Sequence, residues 1–284
     1  MKYNKLFGYP GNKTFCISIL NDLIEKLSFK NCELYIEPFL GSGAIFYNLN
    51  ILKNIKNKYI NDIDFNIYIL HKSIQISTYK NYIETINNIK LNFSDIKTNK
   101  ETYYDFRNWF NKKYYLNLKN KNFHLETGLI LLYLSTTCLN HILRFGPNGM
   151  NQSYGNREYI ISEKIFNECK NLLNNTKILN VSYEQLINFN NKNCIYFFFD
   201  PPYEIRKMPY SNNFNLDQFL EKLIHINGKN TLIFYTDIEN KKSDKLLNYG
   251  FNKQIIRLMK SISPNRKIGN EITGNEILYW KLIN

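Results

Sequence analysis

Apolar residues in this chain fall into short unbroken runs, and stretches with helical spacing lie between them. Four runs read as strands: ELYIEP near 33–38, KYINDID near 58–64, CIYFFFDPP near 194–202 and NTLIFYTD near 230–237. They are continuous instead of alternating, as expected of parallel strands covered on both faces. Between them, KTFCISILNDLIEKLSF sets Phe15, Ile19, Leu23 and Leu27 four residues apart, and LDQFLEKLIHI sets Leu216, Phe219, Leu220 and Leu223 on one side of a helix. Strands alternating with helices predict an α/β fold with a doubly wound, mostly parallel sheet. The last 33 residues, from Asn252, read as two strands around a polar loop, an antiparallel edge to that sheet.

The rhythm breaks between the second and third runs. Residues 73–180 carry no run of the same kind and are rich in Lys, Asn and Tyr, with helical stretches such as TGLILLYLSTTCLNHILRF. This predicts a mostly helical insertion at 73–180 within an α/β body made of 1–72 and 181–284.

Composition narrows the class. With 284 residues, 44 % of them hydrophobic and 15 % aromatic, the chain can fill a sizeable core. No apolar run reaches the roughly 18 residues of a membrane span, and the first residues lack a signal-peptide core. The expectation is a protein that is neither secreted nor membrane-spanning, in the cytoplasm or wherever its partner resides. Five cysteines without CxxC spacing predict buried free thiols, with no disulfide framework and no structural metal. Against 24 acidic residues stand 37 basic ones, a formal charge of +13. That suits a polyanionic partner. A lysine-rich, Asn-rich and Ile-rich composition from AT-rich coding would produce the same excess.

Three stretches carry candidate chemistry. In YIEPFLGSGAIFYNL, a strand runs into Gly41-Ser42-Gly43 and then a helical pattern. Glycines at such a turn let the backbone approach a ligand, although a tight turn alone also uses them. Glu37 argues against a phosphate cradle and for a ligand with a positive end. In YINDIDFN, Asp62 ends the next strand, 19 residues after Gly43. An acidic residue at about that distance binds ribose hydroxyls in nucleotide-binding α/β folds; capping of the following helix is the other use of such a residue. In FFFDPPY, Asp200 ends a buried strand, where open α/β sheets take ligands. Pro201 and Pro202 fix φ and remove two donors, so that a carbonyl is held outward beside the carboxylate. Tyr203 adds a flat ring. An acceptor pair beside an aromatic face could grip an amino group on a planar base.

With these residues in hand, the chain resembles the Dam-type N6-adenine DNA methyltransferases (D12 class, alpha arrangement) over most of its length. GYPGNK is similar to the family's amino-terminal stretch, EPFLGSG to its cofactor loop, INDID to its acidic turn, and DPPY to its catalytic motif. LNHILRFGPNGMNQSYG resembles the recognition hairpin and EILYWKLIN the closing strand. The resemblance implies a Rossmann-like class I methyltransferase fold, S-adenosylmethionine as cofactor and double-stranded DNA as substrate; whether a cognate restriction endonuclease is a further partner is not readable from the sequence. It makes 1–72 and 181–284 the cofactor-binding catalytic domain and 73–180 the target-recognition domain. Cofactor contacts carry over to Tyr9, Lys13, Glu37, Phe39, Gly41, Gly43, Asp62 and Asp200. Catalytic roles fall to Asp200, Pro201, Pro202 and Tyr203, and DNA contacts to Asn140, Arg144, Asn148 and Ser153. Arg144 suits bidentate contact with guanine or a phosphate contact. The family commonly has Lys at Gly8, Trp at Tyr9 and Pro at Ser153. A GATC-like target is one expectation, and Gly8 and Ser153 depart at positions that read bases in relatives. The implied reaction is direct methyl transfer to adenine N6 on a base flipped out of the duplex. Methylation of RNA or of a protein amide, and an inactive DNA-binding relative, are the alternatives.

Overall fold

A computed structural model describes residues 6–8, 11, 13–29, 32–187, 195–202, 214–258 and 274–284. In chain order its helices are α1 (Ile17–Lys26), α2 (Phe65–Ile76), α3 (Tyr79–Asn92), α4 (Lys100–Lys119), α5 (Leu125–Thr137), α6 (Glu163–Leu173), α7 (Glu184–Ile187) and α8 (Leu216–Ile224). The strands are β1 (Leu34–Glu37), β2 (Asn57–Asn61), β3 (Phe145–Gly146), β4 (Gly149–Met150), β5 (Thr176–Leu179), β6 (Ile195–Phe199), β7 (Thr231–Ile238), β8 (Asn252–Arg257) and β9 (Glu276–Ile283). The chain forms two compact units. One comprises Met1–Ile17, Leu40–Asn50 and Asp62–Asn180, the other Ser18–Phe39, Ile51–Asn61 and Val181–Asn284.

In the second unit six strands lie in the order β2-β1-β6-β7-β9-β8. The first four run parallel, with Glu37 opposite Ile60, Ile36 opposite Phe197, and Phe199 opposite Tyr235. β9 is antiparallel to β7 and β8 is antiparallel to β9, so the predicted antiparallel edge is present. All four residues of β1 and all eight of β7 are buried, which explains their unbroken apolar runs. At the margin, β8 is mostly exposed or half-buried and carries Lys253 and Arg257, charges that suit a sheet edge. α8 starts at Asn215, whose side chain accepts from the Gln218 amide, and buries Leu216, Phe219, Leu220 and Leu223, the predicted face. Phe219 packs its ring 5.6 Å from Phe199, 5.4 Å from Tyr235 and 5.9 Å from Phe39.

The first unit is mainly helical. α5 is buried from Thr127 to Thr137, as befits a helix without a polar face at the centre of a bundle. α2, α3, α4 and α6 begin at Asp64, Thr78, Asn99 and Ser162, each accepting a backbone amide with its side chain.

Several expectations change. The expected helix forms as a 3-10 turn at Thr14–Cys16 continued by α1, but its buried stripe is Cys16, Ile17, Leu20 and Ile24. Phe15, Ile19, Leu23 and Leu27 are only half-buried. Both stripes are apolar at helical spacing, and only the packing surface chooses between them. A short strand, β5, lies in the segment expected to have none; TKIL is too brief and too mixed to announce itself. No regular helix follows the glycine turn. Residues 44–48 form successive turns, with Tyr47 bonded back to Gly43 and Leu49 to Ile45, before a 3-10 turn at Asn50–Lys53. Cys16, Cys32, Cys138 and Cys169 are buried free thiols, and Cys194 lies outside the described residues. No helix among the described residues is long and apolar enough to cross a membrane.

Candidate active site

Strand order locates the site in the second unit. From β1 the chain moves outward to β2, then returns to the other side of β1 at β6 and moves outward again to β7. Such a reversal leaves a crevice at the carboxyl ends of the two central strands, where open α/β sheets take ligands. Glu37 ends β1 and Asp200 follows β6. The run of phenylalanines is therefore the buried central strand, with Phe197, Phe198 and Phe199 at most 1 % exposed, and the carboxylate emerges where that strand stops. Asp200 is half-buried, Pro201 buried and Pro202 half-buried.

Asp200 is held by a residue that sequence reasoning missed. Thr236 of β7, fully buried, donates from its hydroxyl to Asp200 Oδ1 at 2.7 Å. The register Phe199–Tyr235 sets the two side by side at the next pair. Asp237, one residue on, has its carboxylate consumed inside the fold. It accepts from Tyr235 at 2.5 Å, Ser243 at 2.6 Å, Asn240 at 2.8 Å and the Ile238 amide at 2.7 Å. Glu37 is 2 % exposed and accepts from the Tyr35 hydroxyl at 2.5 Å. Phe39 is half-buried in an aromatic cluster with Tyr183, Phe214 and Phe219.

The glycine turn and Asp62 are brought together in the first unit. Asp62 Oδ2 accepts the Gly41 amide at 2.8 Å and Oδ1 accepts the Asp64 amide at 2.9 Å. Asp64, not Asp62, caps α2. Burial pushes the Asp62 carboxyl up to about 7, with the neighbouring Asp64 charge adding to the shift. The Gly41 carbonyl meets His71 Nε2 at 2.9 Å, and His71 Nδ1 lies 2.7 Å from the Tyr47 hydroxyl. A carbonyl can only accept, so Nε2 carries the proton and Nδ1 accepts from Tyr47. Burial lowers His71 to about 4, keeping the ring neutral. Gly43 sits at φ +71°, and a Cβ there would stand 2.6 Å from the Tyr47 ring. The chain's own packing thus accounts for this glycine. Lys13 is 3 % exposed and donates from Nζ to the Gly11 carbonyl at 2.8 Å.

The predicted hairpin also forms in the first unit. β3 and β4 pair Phe145 with Met150 and Gly146 with Gly149, leaving Pro147 and Asn148 as an exposed two-residue turn. Arg144 is exposed and donates Nε to Asn151 Oδ1 at 2.8 Å and Nη2 to the Asn151 carbonyl at 3.1 Å. Asn140 is exposed in a left-handed conformation, φ 56°. The Ser153 carbonyl accepts the Leu139 amide at 2.8 Å. Gly8 lies against this segment, where an added Cβ would be 2.4 Å from the Cβ of His141. Tyr9 and Tyr203 lie outside the described residues.

Comparison with known proteins is consistent with these features. Residues 9–268 match the family model of D12 class N6 adenine-specific DNA methyltransferases. The chain is 29 % identical over 210 residues to the Type II methyltransferase M.MjaIII of Methanocaldococcus jannaschii, covering 72 % of this chain and 70 % of that protein. It is 26 % identical over 198 residues to the Type II methyltransferase M.CviBI of Paramecium bursaria Chlorella virus NC1A, covering 69 % and 67 %. A match spanning nearly the whole chain, with an acidic residue and two prolines at the end of the central strand, settles the family: the chain belongs to the D12 class N6 adenine-specific DNA methyltransferases.

Proposed function

We propose that this adenine-specific DNA methyltransferase uses S-adenosylmethionine as methyl donor and that Asp200 and Pro201 carry the transfer. The cofactor supplies an electrophilic methyl group on a positively charged sulfur. Two features support it separately: Glu37 is a buried acid at the carboxyl end of β1, and Asp62, whose carboxylate accepts the Gly41 amide, is assigned by motif position to the ribose hydroxyls. Motif position assigns Tyr9, Lys13, Phe39, Gly41 and Gly43 to the same ligand.

Adenine N6 is a poor nucleophile because its lone pair is shared with the ring. The Asp200 carboxylate and the Pro201 carbonyl accept its two N–H groups, favour a pyramidal nitrogen and stabilise the positive charge that develops there. Alignment of the reacting atoms supplies much of the remaining acceleration. Pro202 stiffens the turn, and Tyr203 stacks on the base once it leaves the duplex. In this reading 1–72 and 181–284 form the catalytic domain and 73–180 the target-recognition domain. Asn140, Arg144, Asn148 and Ser153 face the DNA, lysines contact phosphates, and a cognate endonuclease cuts the unmethylated site. The observation that carries the reading is Asp200 at the end of central strand β6, beside the reversal of strand order.

Expression in a host lacking adenine methylation tests it. N6-methyladenine at one short duplex sequence, absent with Asp200→Ala, is the expected result; a GATC-like site is the first to inspect. Undiminished methylation by Asp200→Ala would refute the assignment.

A further inference from the structure

One face of α4 carries four polar or aromatic residues spaced four apart, Tyr103, Arg107, Asn111 and Tyr115, and each bonds to the main chain of residues 146–152. Tyr103 Oη and Arg107 Nη1 both donate to the Gln152 carbonyl at 2.9 Å. Asn111 donates Nδ2 to the Met150 carbonyl at 2.9 Å and accepts the Met150 amide on Oδ1 at 2.8 Å. Tyr115 donates to the Gly146 carbonyl at 2.9 Å, and its ring stacks on Phe145 at an interplanar angle of 12°. Residues four apart form a row inclined to the helix axis, here winding through about 120° over a rise of about 18 Å.

Asn111 treats Met150 as a neighbouring strand would, satisfying both its amide and its carbonyl. The fit is close: Gly149 sits at φ +108°, and a Cβ there would lie 2.5 Å from Asn111 Oδ1. The hydrogen bonds in this row go to backbone atoms. The seat therefore constrains hairpin side chains only at Phe145, which stacks on Tyr115, and at Gly149, where no side chain fits, while it sets where the exposed residues Arg144 and Asn148 point.

We propose that this α4 row is a specificity-determining support. Residues that read no base hold the hairpin in the one conformation from which its exposed side chains discriminate DNA sequence. The inference rests on the reading of the hairpin as the DNA-facing element.

The test is Asn111→Leu in the full chain, with Tyr115→Phe in parallel as a milder change that keeps the stacked ring. Two quantities are read: hydrogen exchange at the Met150 amide, and the ratio of methylation rates on the mapped site and on duplexes carrying one altered base pair. Asn111→Leu is expected to speed Met150 exchange and to lower that ratio by up to about thirtyfold, the factor carried by two ordinary hydrogen bonds. The affinity for S-adenosylhomocysteine should stay within about twofold, because the lost bonds lie in the hairpin seat. Tyr115→Phe should shift the ratio the same way by a smaller factor. Unchanged Met150 exchange in both variants overturns the seat. Faster exchange with an unchanged ratio overturns its role in specificity. If Asn111→Leu does not fold, Tyr115→Phe decides by the same criteria. Failure of the wild-type chain to methylate any duplex would overturn the parent reading and this inference with it, a result distinct from an unchanged ratio.

Discussion

Thr236 donates a hydrogen bond from its hydroxyl to the carboxylate of Asp200 across two adjacent parallel strands, at 2.7 Å. The donor is fully buried and sits on a strand whose eight residues are all buried, so its position is fixed by packing on both faces. A carboxylate held at one oxygen loses rotational freedom, and under the role proposed for Asp200 that preorganisation of the acceptor would lower the barrier.

Thr236→Val keeps the shape and removes the donor. A hydrogen bond to a charged group contributes about 1.5–3 kcal/mol, so kcat is expected to fall by roughly ten- to a hundredfold. Affinities for DNA and for S-adenosylhomocysteine should change little, and Thr236→Ser should restore most of the rate. Single-turnover methylation on the mapped duplex decides: a Val variant at wild-type speed would leave Thr236 a packing residue only.

Cofactor affinity should depend on pH through Asp62. Its carboxyl is pushed up to about 7, so below that pH the ligand-free protein holds a proton there. Ribose hydroxyls donating to the carboxylate would favour the ionised form, and removing the proton costs affinity. The S-adenosylhomocysteine dissociation constant should therefore fall as pH rises toward 7 and level off above it, with a limiting slope of about tenfold per pH unit. Calorimetric titration from pH 5.5 to 8.5 measures this. Asp62→Asn should weaken binding and flatten the profile; a profile of the same shape in that variant would assign the titration elsewhere.

His71 should make the fold acid-sensitive. Its pKa in the folded chain, about 4, lies below the ordinary imidazole value near 6.5, so the unfolded chain binds more protons between those values. Its stabilising contribution is complete above about pH 6.5 and is lost as pH falls toward 4. Urea titrations at stepped pH should show this decline, and His71→Gln should remove its part of it. His71→Phe leaves the Tyr47 hydroxyl and Gly41 carbonyl without this partner, at a cost of about 1–3 kcal/mol for each group. An acid limb identical in wild type and His71→Gln would contradict the assignment.

Phe219→Ala removes the ring that joins α8 to β6, β7 and the residue after Pro38. A fully buried Phe truncated to Ala costs about 3–5 kcal/mol. Chemical unfolding should show a loss of that size, and a loss below about 1 kcal/mol would mean the cluster relaxes to fill the space.

Much of the arrangement was legible in the chain itself. The runs around Ile36, Phe198 and Phe234 identified three central strands, because strands buried on both faces need apolar residues at every position. The α8 face was read residue for residue, since Leu216, Phe219, Leu220 and Leu223 admit one helical stripe. At α1 two apolar stripes compete, and only the neighbouring surface selected Leu20 and Ile24 over Ile19 and Leu23. Sequence placed Asp62 and Gly41 in neighbouring motifs, but not the bond that makes one a clamp on the other.

The sequence by itself determined the central parallel strands, the α8 stripe, the glycine turn and the carboxylate that ends the central strand, because these depend on local periodicity and backbone stereochemistry. Tertiary structure alone decided that Thr236 serves Asp200 while Asp237 is spent inside the fold, that His71 and Asp62 grip opposite sides of the Gly41 peptide units, and that α4 seats the hairpin. Apart from the local bonds around Asp237, each of these is a contact between residues distant in the chain. Hydrogen bonding at such distances follows from strand register and helix packing, which no local pattern encodes.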